Sequence, residues 1–255
     1  MILTDKLAYT SKIRNKSPFI KTLVSVFTLI LCILSRSWKF SLIILGFMGY
    51  STVKYSRVSL KRYLKFMIVP GSFLILSSIA LVFDISNEPL GIFNLAIGNR
   101  YIIAMKGNIF YGIELILTAL SSVSCLYFLS VTTPMQDLII VMRKLKIPKL
   151  VVEIMFLMYR FIFIIGEMAH DTIIAENCRL GNRGIKAKIK DMGLMLSTVF
   201  VRSYHKANGM FEAMEARNYN GEISVLWEHE KGTTKEKIIV CIYFIIVMGL
   251  AFVCH

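Results

Sequence analysis

The chain has 255 residues, of which 56% are hydrophobic, and its mean hydropathy is +0.64. This composition excludes an ordinary soluble domain and predicts an integral membrane protein. The formal net charge of +14 indicates topology, because Lys and Arg collect in short loops on the cytoplasmic side of a membrane. The five cysteines form no Cys-x-x-Cys pair, so neither a disulfide framework nor a zinc site is expected.

The first half of the chain is predicted to cross the membrane four times. Residues 1–21 and 54–65 are strongly basic, which places both on the cytoplasmic side. Residues 84–108 combine balanced charges with Pro, Gly and Asn, as is typical of loop and interfacial structure on the outer face. A fifth span near the end of the chain puts the two termini on opposite sides, with the N-terminus inside. The predicted spans are residues 19–34, 40–53, 66–83, 109–131 and 238–253.

Particular residues are expected to shape these spans. Gly46 and Gly49 would allow another helix to approach the second span closely, and Pro70 is expected to kink the third. Glu114 lies in the fourth span, where an acid can mark an ion path. No second acid or histidine in the other spans would complete a relay, so we interpret Glu114 as a structural residue that bonds to a neighbouring helix.

Residues 132–235 are predicted to form a cytoplasmic module of amphipathic helices. Thr133 as N-cap and Pro134 at the first helical position predict a short helix that runs to Lys146. A long helix is predicted over residues 149–180, ending at Gly181. Its charged residues recur every seven positions, which favours a helix at the interface or beneath the spans over one that crosses lipid. These charged residues are Glu153, Arg160 and Glu167.

The module continues with a basic segment and a third helix. Residues 182–191 are rich in Lys and Arg, which taken alone indicates a patch that binds phospholipid headgroups. The third helix is predicted over residues 192–218 and is stopped by Asn220-Gly221. Its apolar side is predicted to contain Leu196, Phe200, Ala207, Phe211 and Met214.

Two helix ends in this module share one pattern. Arg179 closes the long helix just before Gly181, and Arg217 closes the third helix between Ala216 and Asn218. One interpretation is that each arginine complements the negative end of its helix dipole, at under about 1 kcal/mol. Two such ends in one module favour docking instead, because arginine can form a bidentate pair with a carboxylate of a partner.

The sequence contains no recognisable catalytic chemistry. It has no GxxxxGK[ST] loop for nucleotide phosphates, and its four histidines do not fall at metal-ligand spacing on a common element. No serine or cysteine lies in a recognisable nucleophile setting. We therefore expect a protein that is not an enzyme and that has no cofactor, no metal site and no nucleic-acid partner.

Several motifs together resemble the transmembrane (T) component of energy-coupling factor (ECF) transporters, most closely the cobalt-type CbiQ family. The resemblance covers nearly the whole chain and is densest over residues 132–222. The motifs are Thr132-Thr133-Pro134, Ile147-Pro148-Lys149, Tyr159-Arg160-Phe161-Ile162-Phe163, Arg179-Leu180-Gly181-Asn182-Arg183-Gly184, Phe200-Val201-Arg202-Ser203 and Ala213-Met214-Glu215-Ala216-Arg217-Asn218-Tyr219-Asn220-Gly221-Glu222.

The resemblance implies a coupling subunit in an ATP-driven importer, most consistent with cobalt uptake. In that family the T component bridges two cytoplasmic ATP-binding cassette ATPases and a membrane-embedded substrate-binding (S) component, here CbiM-like. Two Ala-Arg-Gly motifs dock into the ATPases. They correspond here to Cys178-Arg179-Leu180 and Ala216-Arg217-Asn218, so the arginines are kept while neighbouring residues differ. Arg183 competes with Arg179 for the first role, and Asn218 is expected to supply the left-handed conformation of the missing glycine.

The sequence thus predicts an all-α integral membrane protein of the plasma membrane, with about five transmembrane helices and a cytoplasmic coupling module. Its predicted regions are residues 1–131 in the membrane, 132–235 in the cytoplasm, and 236–255 as a last transmembrane helix. The alternatives are a nickel or vitamin importer subunit of the same kind, an autonomous channel or transporter, and a membrane-bound enzyme. The last two lack the broken-helix repeats or clustered carboxylates that they would need.

Overall fold

A computed structural model describes residues 3–35, 37–86, 93–97, 100–104, 106–178, 184–221 and 234–254. The chain divides into two compact units, which are described separately below. The larger comprises Ile2–Leu138 and Glu228–His255, and the smaller comprises Ile139–Trp227. The protein is a helical membrane protein, as predicted.

The larger unit is a bundle of helices around a central one. Helix α5 contacts α1, α2, α3 and α4, while α9 packs against α2 and α3. The first four residues of α6 also belong to this unit. The helices are α1 (Leu3–Tyr9), α2 (Pro18–Ser35), α3 (Trp38–Ser56), α4 (Leu60–Val82), α5 (Lys106–Thr132), α6 (Met135–Lys144) and α9 (Thr234–Cys254).

Three helices of the described chain are long and apolar enough to cross a membrane. They lie at Pro18–Ser35, Leu60–Ile79 and Phe110–Thr132, and Ile238–Val253 in α9 is a shorter apolar helix. These segments match four of the spans expected from the sequence. The residues predicted as the second span form α3, whose buried side includes Ser41, Ser51, Thr52 and Ser56. The count of five spans stays a prediction.

Hydroxyl groups join the helices of the bundle. Ser25 of α2 donates to the carbonyl of Cys125 in α5 at 2.7 Å, and Thr28 pairs with the Tyr243 hydroxyl of α9 at 2.8 Å. Tyr63 of α4 pairs with Ser124 of α5 at 2.8 Å. Because no water reaches the interior of a bilayer, such polar groups are best satisfied between helices. Around them lies an apolar core of Ile13, Cys32, Phe40, Ile44, Met48, Cys125, Phe128 and Val247.

Close helix contacts occur at two glycines. A Cβ atom at Gly49 would lie 3.1 Å from the Tyr63 hydroxyl oxygen, and one at Gly112 would lie 2.9 Å from the Ser78 hydroxyl oxygen. At Gly46 a Cβ atom would meet nothing within 4 Å. The expected close approach is therefore confirmed for Gly49 and wrong for Gly46, because Tyr63 of α4 lies against Gly49 and no side chain of the described residues lies against Gly46. Helix α4 continues through Pro70.

A small antiparallel sheet lies between α4 and α5. Its strands are β1 (Phe83–Ser86), β2 (Phe93–Ile97) and β3 (Arg100–Ala104), in the order β1-β3-β2. In its register Phe83 pairs with Ala104, and Ile97 pairs with Arg100. The sequence predicted only loop and interfacial structure here. This prediction is corrected to a sheet, because β3 lies between β1 and β2 and its backbone pairs with both strands.

The N-terminal segment is fixed to the bundle by a buried lysine. The Lys21 ammonium donates to the carbonyls of Ile13 and Thr132 at 3.2 Å each, and to that of Arg14 at 3.5 Å. Lys21 is only 5% exposed, and Asp137 at the start of α6 is 6% exposed. Burial raises the pKa of Tyr9 in α1, and the nearby carboxylates add to this effect. Lys21, which lies in the basic segment predicted before the first span, is thus a buried residue that joins this segment to α5.

The smaller unit consists of the rest of α6 together with α7 (Lys149–Cys178) and α8 (Ile185–Glu215), which pack against each other. The predicted long helix is confirmed from Lys149 to Cys178, and its expected end at Gly181 lies outside the described residues. Helix α8 begins seven residues before the predicted start at residue 192. The basic run that was expected to form a separate patch supplies its first turns, since lysine is a good helix former.

The start of α6 also differs from the prediction. The Pro134 carbonyl accepts from the N–H groups of Asp137 at 3.0 Å and Leu138 at 3.3 Å, so the helix begins after Pro134. The Thr133 hydroxyl is buried and has no hydrogen-bond partner among the described residues. Thr133 is therefore not the side-chain cap that its residue type suggested, because its hydroxyl is enclosed by packing instead of facing the first turn.

Candidate functional site

The described part of the predicted coupling site is the C-terminal end of α8. Ala216, Arg217 and Asn218 form the turn that follows Glu215, and all three are exposed. Arg179, Gly181 and Arg183, the residues proposed for the first motif, lie outside the described residues. The geometry below therefore concerns the second motif only.

The chain leaves α8 through a complete Schellman motif. Asn218 has a φ angle of 62°, in the left-handed region. Its N–H donates to the Glu215 carbonyl at 2.9 Å, while the Tyr219 N–H reaches back to the Met214 carbonyl at 3.0 Å. This pair of bonds around a left-handed residue satisfies carbonyls that a helix end otherwise leaves open.

The left-handed conformation expected of Asn218 is thus confirmed. Asparagine tolerates this region better than other residues with a side chain, so it can replace the glycine that the resemblance implies. The sequence predicted that Asn220-Gly221 stops this helix. In the structure the chain already turns at Asn218, two residues earlier. Gly221, with a φ angle of 88°, makes a second left-handed turn three residues later.

A side-chain contact ties this turn to α7. The Tyr219 hydroxyl donates to Glu153 Oε2 at 3.0 Å, and this hydrogen bond raises the pKa of Tyr219. The bond holds the residue after the cap against a helix that is 66 positions away in sequence. Sequence reasoning missed it, because Glu153 was assigned to a charged stripe and no local pattern links it with Tyr219.

Arg217 is presented on this fixed turn. Its N–H donates to the Met214 carbonyl at 3.0 Å, which makes its backbone part of the last helical turn. Its side chain is exposed, and among the described residues it forms no ion pair. A guanidinium in this position can complement the helix dipole, and it also retains all five of its N–H donors for a carboxylate from outside.

Within the described residues, no three His, Cys, Asp or Glu side chains are grouped so that they could hold a metal ion. The chemistry that the turn offers is charge-assisted hydrogen bonding from one rigidly placed cation.

Residues 10–226 match the protein family described as CbiQ, cobalt transport protein. This match covers most of the chain. The chain belongs to the CbiQ family. It is accordingly a cobalt transport component.

Similar proteins occur in archaea and bacteria. An uncharacterized protein of Methanocaldococcus jannaschii is 28% identical over 250 residues, which cover 98% of this chain and 92% of that protein. The cobalt transport protein CbiQ of Salmonella typhimurium is 24% identical over 86% of this chain and 97% of its own length. A putative fused cobalt transport protein, CbiMQ, of Methanocorpusculum labreanum is 23% identical over 97% of this chain and 41% of that longer protein.

Proposed function

We propose that this CbiQ-family chain is the transmembrane scaffold and coupling subunit of an ECF-type cobalt importer. It transmits ATP-driven motion of cytoplasmic cassette ATPases to a membrane-embedded substrate-binding component. The observation that carries the proposal is the exposed Arg217 on the capped end of α8. A cation that merely complemented a helix dipole would not need a backbone fixed both by a Schellman motif and by the Tyr219 to Glu153 bond.

The coupling step is rigid-body motion of α8. This helix has 31 residues and is therefore about 46 Å long. Arg217 forms a bidentate pair with a carboxylate in a groove of one ATPase, and closure of the ATPase pair pulls on this contact. Because the turn is fixed to α7 through Tyr219, the displacement moves the two helices together instead of bending a loop. ATP hydrolysis takes place in the ATPases, and this chain supplies no catalytic group.

The remaining predicted residues complete the contact. Arg179, or Arg183 in its place, gives the second cation, with Gly181 ending its helix as Asn218 ends α8. The N-terminus and the residues of α6 to α8 lie in the cytoplasm, and the protein resides in the plasma membrane. The fused relative CbiMQ supports a CbiM-like chain as the substrate-binding partner, since two parts joined in one protein are often separate partners in another.

The test is a detergent pull-down of the full chain with candidate cassette ATPases. Native sequence is compared with the Arg179→Ala, Arg217→Ala double variant. The matched control is Arg143→Ala, Arg202→Ala, which removes two other exposed arginines, one of them also in the last turn of a helix. We expect the first pair to lose ATPase binding and coupled cobalt uptake while the protein remains inserted in the membrane, and the control to keep both.

Two results would contradict the proposal. Equal losses in the two double variants would mean that net charge, and not the position of the arginines, governs binding. Uptake by vesicles that lack the ATPases would favour an autonomous transporter.

A further inference from the structure

The amino-terminal half of α8 carries an apolar stripe that nothing in the described chain covers. Its members recur at intervals of three or four residues and are between 58% and 81% exposed. With 100° per residue they fall within about 80° of the helix circumference, over a length of about 22 Å. They are Ile185, Ile189, Met192, Leu196 and Phe200.

This stripe is distinct from the side of α8 that is covered. The less exposed positions of the same half are spaced four residues apart. They form one of the i, i+4 ridges through which helices pack against each other. They are Ala187, Asp191, Met195 and Val199. The sequence predicted Leu196 and Phe200 on the apolar side, but it did not predict that this side would remain outside the contact with α7.

Lysines flank the stripe on both sides. Lys186 and Lys190 lie on one flank and Lys188 lies on the other, and all three are exposed. No acidic residue occurs in the first turn of α8, where a negative charge would be favourable and a positive one is not. The helix dipole therefore does not account for these cations. In the sequence, residues 179–190 contain two arginines and these three lysines without any acid.

We infer that the stripe formed by Ile185, Ile189, Met192, Leu196 and Phe200 lies in the headgroup region of an anionic lipid leaflet, with Lys186, Lys188 and Lys190 bound to lipid phosphates. Aliphatic and aromatic side chains between flanking lysines are the composition of interfacial helices. Long lysine side chains reach headgroups while their methylene stems cover apolar surface. Charge complementarity selects a membrane with negative headgroups as the occupant.

This inference goes beyond ATPase coupling and gives the two ends of α8 different partners. The end at Arg217 docks onto protein, and the half from Ile185 to Phe200 docks onto lipid. Its location within one helix also makes it independent of the coupling proposal, because the lysines and Arg217 can be altered separately.

Hydrogen–deuterium exchange on the full chain in nanodiscs tests the inference. Nanodiscs of phosphatidylcholine are compared with nanodiscs that contain phosphatidylcholine and phosphatidylglycerol at a ratio of about seven to three. We expect the amides of residues 185–200 to exchange about tenfold more slowly in the anionic discs, and the difference to shrink at high salt. Lys186→Gln, Lys188→Gln, Lys190→Gln should abolish the difference.

The control triple Lys54→Gln, Lys61→Gln, Lys65→Gln removes the same charge from exposed positions around the α3–α4 connection and should leave the difference intact. A second variant, Ile189→Ser, Phe200→Ser, keeps the lysines and should also lose the protection. Equal exchange in both kinds of disc, or protection that survives the Lys186, Lys188 and Lys190 changes, would overturn the inference. Protection of residues 185–200 that appears only when cassette ATPases are added would show a protein interface instead.

Discussion

The bundle and the α7–α8 pair differ in how many of their side chains are buried and hydrogen-bonded within the chain. In the bundle, hydroxyl groups from α2, α4, α5 and α9 pair with one another or with a backbone carbonyl, and even a lysine is buried against three carbonyls. In the 30-residue α7 and the 31-residue α8, the buried residues are only Val152, Thr172 and Val199. The bundle thus finds many stabilising contacts within the chain, whereas most of the surface of the pair is exposed.

This difference has a physical reason. A polar group that faces lipid without a partner is costly, which favours hydroxyl groups that are paired between the helices of the bundle. Under the proposed function, α7 and α8 work between the membrane, the ATPases and the substrate-binding component, which requires that their apolar and cationic surface stays accessible. The contact between α7 and α8, fixed at Tyr219, gives the pair one defined orientation at its cationic end.

The largest expected effect comes from Lys21 in the bundle. Lys21→Met removes the ammonium donor from the carbonyls of Ile13, Arg14 and Thr132, of which, among the described residues, only Ile13 keeps a bond from the Lys16 N–H. It also removes a positive charge near Asp137. We expect the free energy of unfolding to fall by about 3 kcal/mol. Unfolding in mixed micelles with increasing dodecyl sulfate measures it.

Lys206→Met in the α7–α8 pair is the matched control for this change. Lys206 is exposed, so the same substitution should leave the free energy of unfolding within about 0.5 kcal/mol of the native value. Similar losses of unfolding free energy in the two variants would contradict the view that the bundle is stabilised by buried contacts and the α7–α8 pair is largely exposed.

The next effect, smaller and local, concerns Asn218. Asn218→Val places a β-branched residue at a φ angle of 62°, which costs about 1 to 2 kcal/mol. The bond from the Tyr219 N–H to the Met214 carbonyl should open more often, so that its amide exchanges about tenfold faster. Asn218→Gly, which accepts this conformation without strain, should keep the slow exchange. If both variants exchange alike, the left-handed turn is not what fixes the end of α8.

The extent to which the sequence predicts the structure differs between these regions. Hydropathy and charge locate four apolar membrane segments, and the residue type of Asn218 predicts its left-handed turn, because both are local properties. Lys21 could not be recognised as a buried residue, since its acceptors in Thr132 and Ile13 are brought to it only by the packing of α2 and α5.

The same limit explains the errors at glycine and along α8. The sequence does not distinguish Gly46 from Gly49 as a site of close helix approach. Only the position of Tyr63 makes Gly49 a close contact. The periodicity of residues 192–214 identifies an apolar face, but a hydrophobic pattern does not name what covers it. Helix α8 packs along the ridge through Met195 and Val199 and leaves Leu196 and Phe200 outside.

The smallest expected effect is a coupling energy that compares one hydrogen bond from each region. In the bundle, Thr28→Val and Tyr243→Phe each remove the 2.8 Å contact between α2 and α9. A double-mutant cycle should give a coupling of about 0.6 kcal/mol, the average for hydrogen bonds between membrane helices. In the α7–α8 pair, Tyr219→Phe with Glu153→Ala forms the matching cycle, and its coupling should be weaker because solvent competes at the end of α8. A coupling energy in the second cycle that equals or exceeds the first would mean that the pair, like the bundle, is stabilised by its internal contacts. The proposal that the surface around Arg217 is kept accessible for partners would then lose its main support.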